Sequence, residues 1–187
     1  LAGLPFLALV PLAVALGGVG EAGGRESAWT GLVFGVAHWS PLLIWIPLVV
    51  APRFPWAYAG FGALVGILGG LSALLGWTVH RLRAHARLPL ALAFSLGWVV
   101  VEWLKVHFPF GLSWPWLGLG VSLAAWPELL GLAEWVGEAG VGFWLALVNG
   151  LVAAGVLALR DEGTFLVGGP RHKQGVLIIA IGARSDR

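Results

Sequence analysis

The chain has 187 residues, of which 59% are hydrophobic and only 11% charged. Soluble domains carry about 25% charged residues, so this composition excludes a soluble enzyme and a disordered tail. The net charge is +2 and no basic stripe runs along the sequence, which excludes nucleic-acid binding.

Cysteine is absent, so there is no disulfide, no thiolate metal site and no cysteine nucleophile. Methionine is absent as well, and the sequence opens inside an apolar run, Leu1-Ala2-Gly3-Leu4-Pro5. No positively charged n-region of a signal peptide precedes that run. The sequence therefore reads as a piece of a longer polytopic membrane protein.

A helix crossing a ~30 Å hydrocarbon core needs about 20 mostly apolar residues at ~1.5 Å each. Five charge-poor intervals are the candidate spans: Leu1 to about Gly18, Ala28 to Val50, Phe54 to Val79, Leu88 to Leu104, and Ala139 to Leu159. The last is entered by a helix beginning near Pro127. Between the fourth and fifth, Val106 to Pro127 carries no formal charge, yet Pro109, Pro115 and Pro127 interrupt it with Gly111, Gly118 and Gly120 between. Proline removes a helical donor and glycine loosens the backbone, so this is an irregular loop. Its tryptophans, Trp114, Trp116 and Trp126, suit a membrane–water boundary. The predicted fold is an all-α transmembrane bundle over 1–159, followed by a tail at 160–187. Gly163, Gly168, Gly169 and Pro170 break that tail, and Gly175 to Ala183 is too short to cross, reading as a truncated sixth span.

Short loops rich in Lys and Arg favour the cytoplasmic side. Arg25, Arg81, Arg83, Arg87, Arg160, Arg171 and Lys173 fall on one side of the predicted bundle, and Arg53 and Lys105 on the other. Loop 80–87 is thus expected inside and loop 105–127 outside.

Three local features stand out. Gly62, Gly66 and Gly70 share one helical face that permits close helix approach, with packing inside one bundle the expected use and an assembly interface the other. His38 lies within a span, where it is expected to hydrogen-bond inside the bundle, with a proton path as the alternative. No metal-ligand spacing occurs, and no metal or cofactor is expected. Glu102 closes the fourth span, and Lys105 lies three residues on, so the two can pair on one helix face. Such a pair can ease two charges near lipid or anchor the outward loop beneath a lipid head group; spacing alone does not choose.

The run Glu102-Trp-Leu-Lys105, followed by Ser113-Trp-Pro-Trp-Leu-Gly-Leu-Gly-Val-Ser122, resembles the bacterial apolipoprotein N-acyltransferase family. Members show Glu-aromatic-Leu-Arg closing a span, then a Phe-Pro-Trp-Leu-x-x-Gly-Tyr-Ser loop and a glycine-bearing helix. Leu132 through Val148-Asn149-Gly150 is similar to that helix, and Leu4 to Leu12 and Gly31 to Ile46 are similar to earlier spans. Lys105 stands where the family has Arg, Trp114 where it has Phe, and Val121 where it has Tyr. Lysine cannot make the bidentate contacts of arginine, so an anion contact does not carry over unchanged.

The resemblance implies a bacterial inner-membrane, multi-pass protein whose intact relatives take an acyl chain from phospholipid. They pass it to the N-terminal cysteine of a lipoprotein, through a Glu-Lys-Cys triad on a nitrilase-like domain. The chain has no cysteine for that triad and is expected to be inactive alone. Trp114, Pro115 and Trp116 are then expected to line a lipid-facing floor, with Glu102 and Lys105 fixing the loop. The competing reading is a non-enzymatic membrane subunit that binds lipid or packs in a larger complex.

Overall fold

The computed structural model describes residues 4–19, 23–109, 113–124, 126, 128, 131 and 133–167, with side chains up to residue 160. A 3-10 turn at Leu4–Phe6 leads into α1 (Val10–Gly18), α2 (Gly24–Leu43), α3 (Trp45–Val50), α4 (Ala57–Ala84) and α5 (Leu90–Val106). A loop with a second 3-10 turn, Gly120–Leu123, then precedes α6 (Ala133–Val167). Among the described residues there is no strand.

The all-helical class is as expected, but the count of five full spans is not. Among the described residues, three helices are long and apolar enough to cross a membrane: Gly24–Val50, Ala57–Ala84 and Ala133–Arg160. The first stretch falls short because its regular helix starts only at Val10, with Pro11 in its first turn. The fourth stops at 17 residues between Pro89 and the irregular backbone beyond His107. At ~1.5 Å per residue that is about 25 Å, below the hydrocarbon thickness. The loop expected over 106–127 is irregular where described. The helix start expected near Pro127 lies largely outside the described residues; α6 runs from Ala133, and Gly137 (φ 65°, ψ −177°) separates its first turn from the long apolar run. The predicted short span Gly175–Ala183 lies outside the described residues.

Helices α2 and α4 meet most closely. A Cβ on Gly31 would collide with the Ser72 carbonyl, and one on Gly76 with the Ser27 carbonyl. A Cβ on Gly35 would lie 2.9 Å from the Gly69 Cα. The glycine stripe singled out in sequence is a different face: nothing among the described residues lies within 4 Å of a Cβ built on Gly62, Gly66 or Gly70. The expected packing of that stripe inside the bundle is therefore not seen, because Gly69 and Gly76, turned round the helix from it, face α2 instead.

The main core joins α1, α4, α5 and α6 through Leu12, Leu16, Leu75, Val79, Phe94, Ala146 and Ala153, all buried. At one end Arg83 Nη1 donates to Gly17 O at 3.3 Å, and Gly24 packs on Trp77 and His80. These contacts gather Arg25, Arg81, Arg83 and Arg87 at one end of the bundle. Lys105, at the far end of α5, lies opposite.

A tethered loop and an apolar cavity

Helix α5 ends in two charges on one face. Glu102 and Lys105 stand one turn apart, their side chains 14% and 6% exposed, with Lys105 Nζ 4.0 Å from Glu102 Oε1. Charges this buried need further partners, and the loop supplies them. Leu119 N–H donates to Glu102 Oε1 at 2.7 Å, and Lys105 Nζ donates to Trp116 O at 3.3 Å. Trp114 N–H donates to Lys105 O at 2.8 Å. Three hydrogen bonds thus tie the loop to the last turns of α5. The ammonium also lies 5.7 Å from the centre of the Trp39 ring, within cation–π range.

The glycines of this region make room for carboxylates. A Cβ on Gly142 would lie 2.9 Å from Glu102 Oε2, and one on Gly118 would collide with Glu138 Oε1. Glu138, exposed at the start of the long run of α6, therefore lies over the same loop.

Beside the tether opens a cavity of about 470 Å³. Its walls are mainly apolar, from Phe34 on α2, Leu68 and Leu71 on α4, Trp98 and Val101 on α5, and Leu119 on the loop. Its polar groups are few: Glu102 and Lys105, with His38, Ser72 and Ser122. A smaller cavity of about 200 Å³, lined by Trp103, His107, Pro115 and Glu138 among others, shares Glu102, Lys105 and Gly118 with the larger one. The charged pair therefore stands between the two.

Of the five residues expected at the site, Glu102 and Lys105 are brought together with the loop that they hold. Trp116 is 67% exposed and lines the large cavity, while Pro115 is exposed and lines the small one. Trp114 is half-buried against the cluster of Leu43, Val65, Leu68 and Leu71. Its Nε1, like that of Trp98, is buried without a hydrogen-bond partner among the described residues. His38 was expected to hydrogen-bond inside the bundle. It stacks instead on Phe34, 5.4 Å between centroids, and meets Trp39 edge-on at 5.1 Å. Sequence reasoning missed Trp98, Leu119 and Glu138. Trp98 carries a usable signal, an indole four residues before Glu102 on the same helix face; the other two have none.

An apolar cavity with a charged pair at one side, set among long apolar helices, is the build of a helical membrane protein. Residues 1–151 match the family model described as the apolipoprotein N-acyltransferase N-terminal domain, and the chain belongs to that family. An apolipoprotein N-acyltransferase of Geobacter metallireducens is 29% identical over 150 residues, covering 78% of this chain and 28% of its own. One of Azotobacter vinelandii is 33% identical over 162 residues, covering 81% and 31%, and one of Vibrio vulnificus 32% over 99 residues, covering 50% and 20%. The matched region thus spans under a third of these relatives' length. No solved structure matches the chain.

Proposed function

We propose that this chain supplies the membrane part of an apolipoprotein N-acyltransferase, an enzyme that moves an acyl chain from phospholipid to the N-terminal cysteine of lipoproteins. The observation that carries this reading is the ~470 Å³ cavity, apolar along its length and charged beside the loop. An acyl chain fits such a space without desolvating a polar group, and a phospholipid head group would meet Lys105 and Glu102 where the cavity turns polar. In this reading Trp114, Pro115 and Trp116 form the floor under the reacting lipid, and the protein is a multi-pass component of the bacterial inner membrane. The basic end of the bundle is cytoplasmic, and loop 105–127 faces outward.

A second reading is a non-enzymatic membrane subunit. The open Gly62, Gly66 and Gly70 face favours it, since small residues without a neighbour suit contact with another helix.

A chimera separates the two. Residues 1–151 replace the matching segment of the Geobacter metallireducens relative, and the product is incubated with phospholipid and a diacylglyceryl peptide. A mass increase of one acyl chain on the peptide is expected. A chimera that inserts and purifies as a single species yet transfers nothing overturns the acyltransferase reading in favour of the subunit.

A further inference from the structure

Asn149 is fully buried in α6, and its side chain enters the backbone of a segment 140 residues away. In a continuous helix the Leu9 N–H would donate to the Pro5 carbonyl. Here the Asn149 amide stands between them. Its Oδ1 accepts from Leu9 N at 2.9 Å, while Nδ2 donates to Pro5 O at 3.0 Å and to Leu145 O at 2.8 Å. One side-chain amide thus replaces a peptide-to-peptide bond, and the turn between Leu4–Phe6 and α1 is held open, a known cause of helix kinks. On one side of the opening Phe6 is anchored edge-on against Trp144, 5.4 Å between centroids. On the other side Ala8 and Leu9 line the large cavity.

A simpler solution was open to the fold. A leucine at position 149 would fill a similar volume and let Pro5 O and Leu9 N–H bond to each other. No backbone group would be left unsatisfied, and no amide would have to be buried among apolar helices. We propose that Asn149 is a positioning residue for lipid binding: by wedging the Pro5–Leu9 turn open it sets Leu9 as a wall of the acyl-chain cavity. This rests on the reading of that cavity as an acyl-chain site.

The test uses the full chain in detergent micelles with phosphatidylcholine carrying a diazirine at the end of one acyl chain. After illumination, crosslinked peptides are mapped by mass spectrometry. Leu9 and Leu71 are both buried, 4% and 8% exposed, and line the cavity from different helices, so labelling of either reports a chain inside it. The parent is expected to label at both. Asn149→Leu closes the turn and lowers labelling at Leu9 about fivefold relative to Leu71, the factor expected for about 1 kcal/mol. Gly155→Ala, on the same helix with open space around it, leaves the ratio unchanged. A parent that labels at neither residue overturns the acyl-chain reading of the cavity itself. A parent that labels at both, with an unchanged ratio in Asn149→Leu, overturns the role of Asn149 alone. If Asn149→Leu does not purify as a single species, Asn149→Ala is read the same way. Loss of both variants makes Asn149 a requirement of the fold, and the positioning role falls.

Discussion

Glu102 accepts the N–H of Leu119 at 2.7 Å, so a carboxylate near the end of α5 fixes a loop residue seventeen positions later. Lys105 completes the tether through Trp116 O while lying 4.0 Å from the same carboxylate. Removing one member of a buried pair leaves an uncompensated charge, which costs about 3–5 kcal/mol. Glu102→Ala is therefore expected to lower the thermal unfolding midpoint in detergent markedly. The double variant Glu102→Leu, Lys105→Met removes both charges together and is expected to recover most of that loss. Equal midpoints for Glu102→Ala and the parent would show that the pair does not hold the loop.

The loop and the pair were both readable in sequence, for local reasons. Three prolines stop a helix whatever surrounds it, and charges three residues apart share a helix face. Leu119 as a partner was not readable, because a backbone N–H carries no sequence signature and the contact closes only when the loop folds back. The cavity was hidden for the same reason, since its walls come from α2, α4, α5 and the loop. Hydropathy located the apolar stretches but not their regularity, so it missed that the first begins as a regular helix only at Val10. Asn149 was visible as a letter in a motif; its partners, Pro5 and Leu9, were not.

The glycines give a sharper contrast. Periodicity pointed to Gly62, Gly66 and Gly70, yet the close approach uses Gly31 and Gly35 against Gly69 and Ser72. A valine at Gly31 would press on the Ser72 backbone, and overpacking of this kind costs about 1–3 kcal/mol. Gly31→Val is expected to lower the unfolding midpoint, while Gly66→Val, with nothing within 4 Å, leaves it unchanged or raises it through better helix propensity. Equal losses from both would mean that the Gly66 face is also packed.

The two tryptophans flanking Pro115 are expected to report different surroundings. Trp116 is 67% exposed, whereas Trp114 is half-buried on the cluster of Leu43, Val65, Leu68 and Leu71. With Trp116 at the outer interface, lipids brominated near the glycerol should lose more of their quenching on Trp116→Phe than on Trp114→Phe. The reverse order would place Trp114, not Trp116, against lipid.

Topology can be read directly, because the chain has no cysteine to interfere. Single cysteines at positions 85 and 113 are labelled in intact cells with an impermeant maleimide. Position 113 is expected to react and position 85 to react only after lysis if the end carrying Arg81, Arg83 and Arg87 is cytoplasmic, as proposed. Labelling of 85 but not 113 in intact cells inverts the orientation.

The 187-residue chain alone is expected to transfer no acyl group. The route implied by the family resemblance passes through a thioester, and the chain has no thiol to form one. The hydroxyls nearest the large cavity are poor substitutes. Ser122 Oγ donates its proton to Leu119 O at 2.5 Å, which leaves it facing a carbonyl rather than a base. Lys105 is committed to Trp116 O and Glu102, and His107 Nδ1–H donates to Trp103 O at 2.9 Å while its ring stacks on that of Trp103. General-base assistance contributes about 10²–10⁴-fold, and without it a serine hydroxyl is a weak nucleophile at neutral pH. The purified chain is incubated in phospholipid micelles with a diacylglyceryl peptide, and the peptide mass is followed over time. No increase is expected. Steady acylation by the chain, abolished in Ser122→Ala or Ser113→Ala, would require a serine-based mechanism and would overturn the expectation that the chain alone is inactive.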